Sequence, residues 1–286
     1  MPDKEAKAPY KLGLALAGGG ARGFAHLGAF EAIEELGLKP DIISGTSAGS
    51  LAGVFYADGY TPQETLKLFK NVKFTELATT SLPRNSFFKM NGLRTFLKEN
   101  IRAKTFEELR IPLRVMTSNI ETGESILFDK GELIEPILAS CAVPIVFEPI
   151  EIGGKYLVDG GLFVNLPASV IRDDCEKLIG INISPLCPQK YNRSFKYIIE
   201  RSLHYLMVAN ALPDRDICDY LIESTEIGKF PLFDLNKAAE IYKTGYIVAK
   251  QTLEKNKERI KQDFFSPIKQ EPALSFLQRL ANAFRK

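Results

Sequence analysis

Two rhythms of apolar and polar positions alternate along this chain, and each change of rhythm marks an element. Lys11 to Ala17 is a short, nearly unbroken apolar run that ends on Gly18, Gly19, Gly20, Ala21, Arg22 and Gly23. An apolar run of that length closed by glycines predicts a buried strand. Beyond it Phe24, Leu27, Gly28, Ala32, Ile33 and Leu36 recur at helical spacing until Gly37, which predicts a helix. A second strand over Asp41 to Ser44 passes at once into a helix over Ala48 to Ala57. The opening of the chain therefore reads as consecutive strand and helix units of a parallel sheet.

From Thr61 to Arg110 the pattern loosens. Helices are predicted over Pro62 to Lys70 and Gly92 to Ile101, with Ser81 to Phe88 showing no period. Phe87, Phe88, Met90, Leu93, Phe96 and Leu97 either shape a pocket for an acyl chain or pack as a peripheral cluster. Strands return at Pro112 to Asn119 and Ser125 to Phe128, followed by a helix from Glu132 to Ser140. Val146 to Ile152 and Tyr156 to Val158 form a hairpin around Gly153 and Gly154, and the second strand ends on Asp159, Gly160 and Gly161. Asn165 and Pro167 are expected to start a helix. Lys177 to Ile183 and Asp219 to Glu223 complete the strands; Phe195 to Met207 and Leu235 to Leu253 give two further helical faces.

No internal repeat or low-complexity linker interrupts this order, which favours one domain. The tail differs. Leu274, Leu277, Leu280, Ala281 and Phe284 share one helical face beside Arg279, Arg285 and Lys286. That face either lies on a lipid surface, giving peripheral membrane contact, or docks on its own domain or a partner.

Composition removes several classes of function. The 37 Lys and Arg nearly balance 35 Asp and Glu, so the net charge of +2 gives no reason to expect nucleic acid. The four cysteines form no CxxC pair and the chain holds two histidines, so neither a zinc site nor a redox dithiol is expected and a cytoplasmic location fits best. The amino terminus lacks a signal-peptide pattern, and no apolar run approaches the ~18 residues of a spanning helix.

The candidate chemistry lies at two glycine-bounded turns. Gly45, Thr46, Ser47, Ala48 and Gly49 spell GxSxG between a strand and a helix, a setting that lifts a serine hydroxyl above the end of a sheet. Alone, such a pentapeptide also serves as a plain connecting turn. Gly18, Gly20 and Gly23 spell GxGxxG, whose backbone N–H groups could face a dinucleotide pyrophosphate or an oxyanion. The acidic residue that a dinucleotide site needs after the second strand is missing: Asp41 starts that strand and Ser47 follows it.

The glycine turn, the serine turn and Asp159, Gly160, Gly161, in this order, resemble the patatin-like phospholipases, the bacterial branch in particular. Ala139 to Pro144 and Asn165 to Pro167 extend the likeness. The resemblance assigns residues 11–174 to a catalytic core, 175–255 to its continuation in the same domain and 256–286 to a tail with an amphipathic helix. It implies a three-layer α/β/α fold with a mainly parallel central sheet. It also implies a Ser/Asp dyad, with Ser47 as nucleophile and Asp159 as base. Gly18, Gly19, Gly20, Ala21 and Arg22 would form the oxyanion hole, with the Arg22 side chain beside it; Gly23, Gly45, Gly49, Gly160 and Gly161 would support these motifs.

The expected activity is hydrolysis of a lipid ester, be it phospholipid, lysophospholipid or neutral ester, without cofactor or metal. A solvated aspartate, at a pKa of about 3.9, is too weak a base for a serine. Asp159 must therefore be desolvated or tightly bonded to Ser47. Two other readings stay open. His204 follows Asp159 in the order of a Ser, Asp, His triad, though within a helical run, and His26 reads as a packed helix residue. The protein could also bind lipid or acyl groups without turnover.

Overall fold

The computed structural model describes residues 8–69, 79–80 and 88–266. Contacts divide the chain into two compact units, Met1–Thr252 and Leu253–Lys286. The first unit is built on an eight-stranded sheet whose spatial order is β10, β9, β1, β2, β5, β8, β7, with β6 also paired to β5. Five of these strands are mutually parallel: β1 (Tyr10–Leu16), β2 (Ile42–Thr46), β5 (Leu113–Asn119), β9 (Cys175–Asn182) and β10 (Tyr220–Glu223). The antiparallel edge comprises β6 (Ser125–Phe128), β7 (Ile150–Ile152) and β8 (Lys155–Asp159). Two short strands, β3 (Thr79–Thr80) and β4 (Phe88–Lys89), pair separately.

Connection handedness builds the three layers. Helix α1 (Phe24–Glu35) carries the chain from β1 to β2, and the crossover holding α6 (Phe195–Ala209) carries it from β9 to β10. These steps run in opposite directions across the sheet, so two right-handed crossovers put their helices on opposite faces. The order reverses at β1, and ligands of such sheets gather outside the carboxyl ends of strands near that reversal. Helices α2 (Ala48–Ala57), α3 (Pro62–Phe69), α4 (Asn91–Asn100) and α5 (Ile134–Ser140) follow in chain order, and α7 (Ala238–Lys255) closes the series. The central strands read as near-continuous apolar runs because both faces are covered: Leu14, Ala15, Leu16, Ile43 and Val115 are all inaccessible to solvent.

Two expectations need correction. No helix starts at Asn165 and Pro167; residues 163–171 run irregularly along the sheet. Their carbonyls are engaged by side chains of the strands below, Ser44 Oγ donating to Pro167 at 2.6 Å, Thr46 Oγ1 to Val164 at 2.9 Å and Arg114 to Val170. Those long-range bonds replace helical ones. The strand expected over Val146 to Ile152 shrinks to Ile150–Ile152, because Val146 and Phe147 both donate back to the Val143 carbonyl in a turn. The hairpin itself stands, with Gly153 and Gly154 both at positive φ, as a two-residue turn between twisted strands requires.

The described part of the second unit holds a helical turn at Lys257–Ile260 and a π-helical turn at Lys261–Phe265. The predicted tail helix over Leu274 to Phe284, and most of Ser81 to Phe88, lie outside the described residues. Among the described residues no helix is long and apolar enough to cross a membrane.

Phe55 is the centre of an aromatic cluster under the loose helical segment, its ring 5.5 Å from Tyr60, 5.6 Å from Phe69 and 6.1 Å from Phe96. Phe55→Ala is expected to cost about 3–5 kcal/mol, read as a lower urea midpoint at unchanged slope.

Candidate active site

Ser47 joins β2 to α2 with φ 53° and ψ −121°, a region that non-glycine residues enter at a cost of about 1–3 kcal/mol. Its neighbours explain how that backbone is held. A Cβ placed on Gly49 would lie 2.1 Å from the Leu16 carbonyl oxygen, so the first turn of α2 presses on the end of β1 in a way only glycine allows. Gly45 faces the Gly49 backbone at 2.7 Å by the same measure, and Gly23 faces Ala48 Cβ at 2.9 Å. The Ser47 N–H donates to Ser140 Oγ at 2.8 Å, and that hydroxyl donates on to the Met116 carbonyl at 2.7 Å. Ser50 Oγ donates to the Ser47 carbonyl at 2.7 Å. Ser140 and Ser50 thus hold both sides of Ser47. In the sequence, Ser50 is marked by its nearness to the serine motif and Ser140 by its place in the Ala139 to Pro144 stretch.

Asp159 ends β8, which pairs with β5 at Thr117, and β5 pairs in turn with β2. The sheet brings Asp159 towards Ser47 from two strands away. Its side chain is buried, and Oδ1 accepts from the Gly161 N–H at 2.8 Å. Gly160 packs on Met116, whose carbonyl oxygen would lie 2.5 Å from a Cβ there. Oδ2 has no partner within ordinary hydrogen-bond geometry, although the Ser47 hydroxyl is close enough to favour the ionised form. Burial outweighs both hydrogen-bonding contributions and pushes the carboxyl pKa up to about 6. The neighbouring Cys141 thiol is pushed up further, by burial first and then by the Asp159 charge.

The glycine turn lies against the serine: a Cβ on Gly18 would sit 3.1 Å from Ser47 Cβ. Most of its N–H groups are already used. Gly18 donates to the Asn165 carbonyl at 3.1 Å, Ala21 to Leu232 at 2.7 Å and Arg22 to Gly19 at 3.2 Å. Gly19 and Gly20 donate to no group among the described residues. Gly20 takes φ +57°, with the Leu232 carbonyl oxygen 2.2 Å from where a Cβ would stand.

The Arg22 side chain turns away from the serine. Its Nε donates to the Phe230 carbonyl at 2.7 Å, Nη2 to Gly228 at 2.8 Å, and Nη1 lies 3.3 Å from His204 Nδ1. Burial lowers its pKa to about 10, still fully charged at neutral pH. His204 is therefore a neighbour of Arg22; burial first and Arg22 second lower its pKa to about 4. His26 is fully buried and neutral, and its Nε2 donates to the Ala17 carbonyl at 2.8 Å, bracing the chain ahead of the glycine turn.

Ser47 borders a cavity of about 140 Å³. Its walls are almost wholly apolar: Phe24 and Leu27 of α1, Leu51 of α2, Phe69 of α3 and Leu93 of α4 stand on one side. Val143, Phe147, Leu232 and Phe233 complete them. Met90 and Leu93 bring the loose segment into this pocket, while Phe96 packs on Phe69 at 4.7 Å instead. The segment around Leu232, which both walls the cavity and engages Ala21, carries no motif by which sequence reasoning could find it.

The patatin-like phospholipase family profile matches residues 14–171. An uncharacterized NTE family protein of Mycobacterium tuberculosis is 30% identical over 163 residues, covering 56% of this chain and 45% of its own length. A lysophospholipase of Saccharomyces cerevisiae, NTE1, is 29% identical over 182 residues, covering 60% of this chain and 11% of its own length. The chain thus spans less than half the length of these relatives. Among solved structures, VipD from Legionella pneumophila superposes with a TM-score of 0.57 at 14% identity over 86% of this chain and 67% of its own, a likeness of fold.

The raised Asp159 pKa has a consequence for stability. Its folded value of about 6 exceeds the 3.8 of an ordinary aspartate, so its contribution to stability is present below about 3.8 and is lost as pH rises through about 6. Asp159→Asn is expected to stabilise the fold at pH 8 by on the order of 3 kcal/mol, a gain most of which is lost at pH 4. Urea unfolding at both pH values checks the sign.

Proposed function

This chain belongs to the patatin-like phospholipase family, and on that footing we propose that it is a serine acyl hydrolase acting on carboxylic esters of lipids through an acyl-serine intermediate. One observation carries the reading: a serine in a strained turn borders an apolar cavity, beside a buried carboxylate whose pKa is about 6. The cavity supports an acyl chain as the part of the substrate that is bound. The name of the yeast relative makes lysophospholipid a reasonable first substrate to try.

In the proposed mechanism the Ser47 hydroxyl attacks the ester carbonyl and passes its proton to Asp159 Oδ2, the oxygen without a partner. The carbonyl oxygen becomes an oxyanion that accepts from the Gly19 and Gly20 N–H groups. This narrows the oxyanion donors from the five residues Gly18 to Arg22 to two. A preorganised donor of this kind is typically worth about 3 kcal/mol of transition-state stabilisation. Collapse of the tetrahedral intermediate breaks the bond to the alcohol oxygen, which leaves with the proton held by Asp159. Water then gives a proton to Asp159 and attacks the acyl-serine, releasing the fatty acid and restoring the Ser47 hydroxyl.

Burial makes Asp159 a stronger base than a solvated aspartate while leaving most of it ionised above pH 7. The competing reading, acyl binding without turnover, shares the cavity and differs only in the reactivity of Ser47.

A fluorophosphonate probe should add once to the wild-type protein and not to Ser47→Ala, as read by intact mass. Ester hydrolysis should fall by roughly 10⁴-fold in that variant. A folded wild-type protein that takes no adduct would favour the binding reading. The kcat/KM profile should rise with pH through an apparent pKa near 6 and flatten above pH 7, because the base works ionised; a rise centred near 4 would contradict a desolvated Asp159, and loss of the rise in Asp159→Asn identifies its carboxyl as the titrating group.

A further inference from the structure

Helix α6 has an outward apolar face that nothing among the described residues covers. Phe195, Ile198, Tyr205 and Leu212 are 75%, 49%, 51% and 47% exposed. With the exposed Ser202 and Ala209 they advance by three and four residues, which aligns them along one side of the helix and its continuation. Leu186 and Tyr191, just ahead of the helix, are also exposed, and Tyr191 packs edge-on against Tyr197 at 6.0 Å. The opposite side is buried, with Arg201, Leu203, His204 and Met207 turned inward.

The exposed charges at the amino-terminal end of this face are cationic, and Asp216, one turn beyond Leu212, is an exposed carboxylate at its far end. Between Leu186 and Pro213 the exposed ionisable side chains, among those described, are Lys190 and Arg193. Glu200, the one carboxylate in that stretch, is half-buried and acts on Arg22. Lys196 adds a third cation to the sequence of the segment.

Two occupants suit an apolar helical stripe, a second copy of the chain and a lipid surface. The 15 residues of α6 span ~22 Å, so one side of it offers a few hundred Å². That is well below the ~800 Å² per partner of a stable protein interface. A lipid surface sets no such minimum, accepts tyrosine and phenylalanine at headgroup level, and an anionic one favours the end of the face where Phe195 and Ile198 adjoin Lys190 and Arg193. The helix also reaches the site at two points. His204 adjoins Arg22, and Asn210 Nδ2 donates to the carbonyls of Gly161 at 3.2 Å and Leu162 at 2.5 Å.

We propose that the outer face of α6 is a docking surface for an anionic lipid bilayer, which seats the protein beside the esters it cleaves. The purpose of docking rests on the lipid-hydrolase reading; the docking itself does not require turnover, and the two can fail separately.

The test is co-sedimentation of the full chain with vesicles of phosphatidylcholine containing about one third phosphatidylserine, and with pure phosphatidylcholine. Ser47→Ala keeps the lipid intact. The protein is expected to bind the mixed vesicles more tightly than the neutral ones. Phe195→Ser/Ile198→Ser, which spares Tyr205 and the Arg201 guanidinium lying 4.4 Å over its ring, should weaken that binding by about tenfold or more. The same variant should hydrolyse a soluble short-chain p-nitrophenyl ester at the wild-type rate and melt at the wild-type temperature. Absence of vesicle binding, or binding that the double substitution leaves unchanged, overturns the proposal. So does a wild-type dimer in sedimentation velocity that the substitutions convert to monomer, since α6 would then face a second copy. Failure of the soluble ester to be cleaved by wild-type protein would overturn the hydrolase reading and leave docking to be judged by the vesicles.

Discussion

The geometry of the site depends on the close approach of α2 to the end of β1. With Gly49 held against the Leu16 carbonyl, the chain has no room to leave β2 gradually, and the reversal falls on one residue, Ser47, at φ 53°. The strain is local while its restraint is distributed. Ser140 holds the N–H before the turn, Ser50 holds the carbonyl after it, and the parallel ladder from Gly13 to Leu16 fixes β1 beside β2. A side chain in this position cannot relax into a helical or extended rotamer environment without breaking contacts on both sides. Its hydroxyl is thereby kept at the cavity rather than folded back on its own helix.

The second cost is electrostatic, and it falls on Asp159. A carboxylate with one backbone donor and no solvent is a poor structural element. In the proposed mechanism that placement makes sense as chemistry: the same burial that raises its pKa to about 6 makes it the stronger base that a histidine-free dyad would need. The requirement for desolvation follows from the reference pKa of aspartate alone, before any coordinates. The amount of desolvation does not, because it is set by the sheet neighbours β5 and β8 and by the small residues around Ser140 and Cys141.

What was legible in the chain was local. Apolar runs closed by glycines gave β1 and β2 to within two residues, and helical spacing gave α1, α2 and α6 with similar accuracy. The failures share one physical cause, side-chain bonds between segments distant in sequence. Residues 163–171 avoid a helix because Ser44, Thr46 and Arg114 occupy their carbonyls. The Ala21 N–H is taken by the Leu232 carbonyl, which reaches it from more than 200 residues away. Neither partner carries a signature, since a backbone carbonyl looks the same at every residue.

Arg22 shows why such hidden partners matter. A guanidinium brought within reach of the buried Asp159 carboxylate would form an ion pair with it. At ~4 Å and an effective dielectric of ~20, that pair would interact by about 4 kcal/mol. Since one pKa unit corresponds to about 1.4 kcal/mol, such a pair would pull the carboxyl down by about 3 units and leave too weak a base. The structure avoids this by giving Arg22 neutral acceptors instead, the carbonyls of Phe230 and Gly228 with His204 alongside. Arg22 is accordingly absent from the groups that shift Asp159. The segment from Gly228 to Leu232 thus does three things at once: it walls the cavity, uses up the Ala21 donor, and engages the one buried cation of the glycine turn, leaving Asp159 without a cationic partner as its proposed role as base requires.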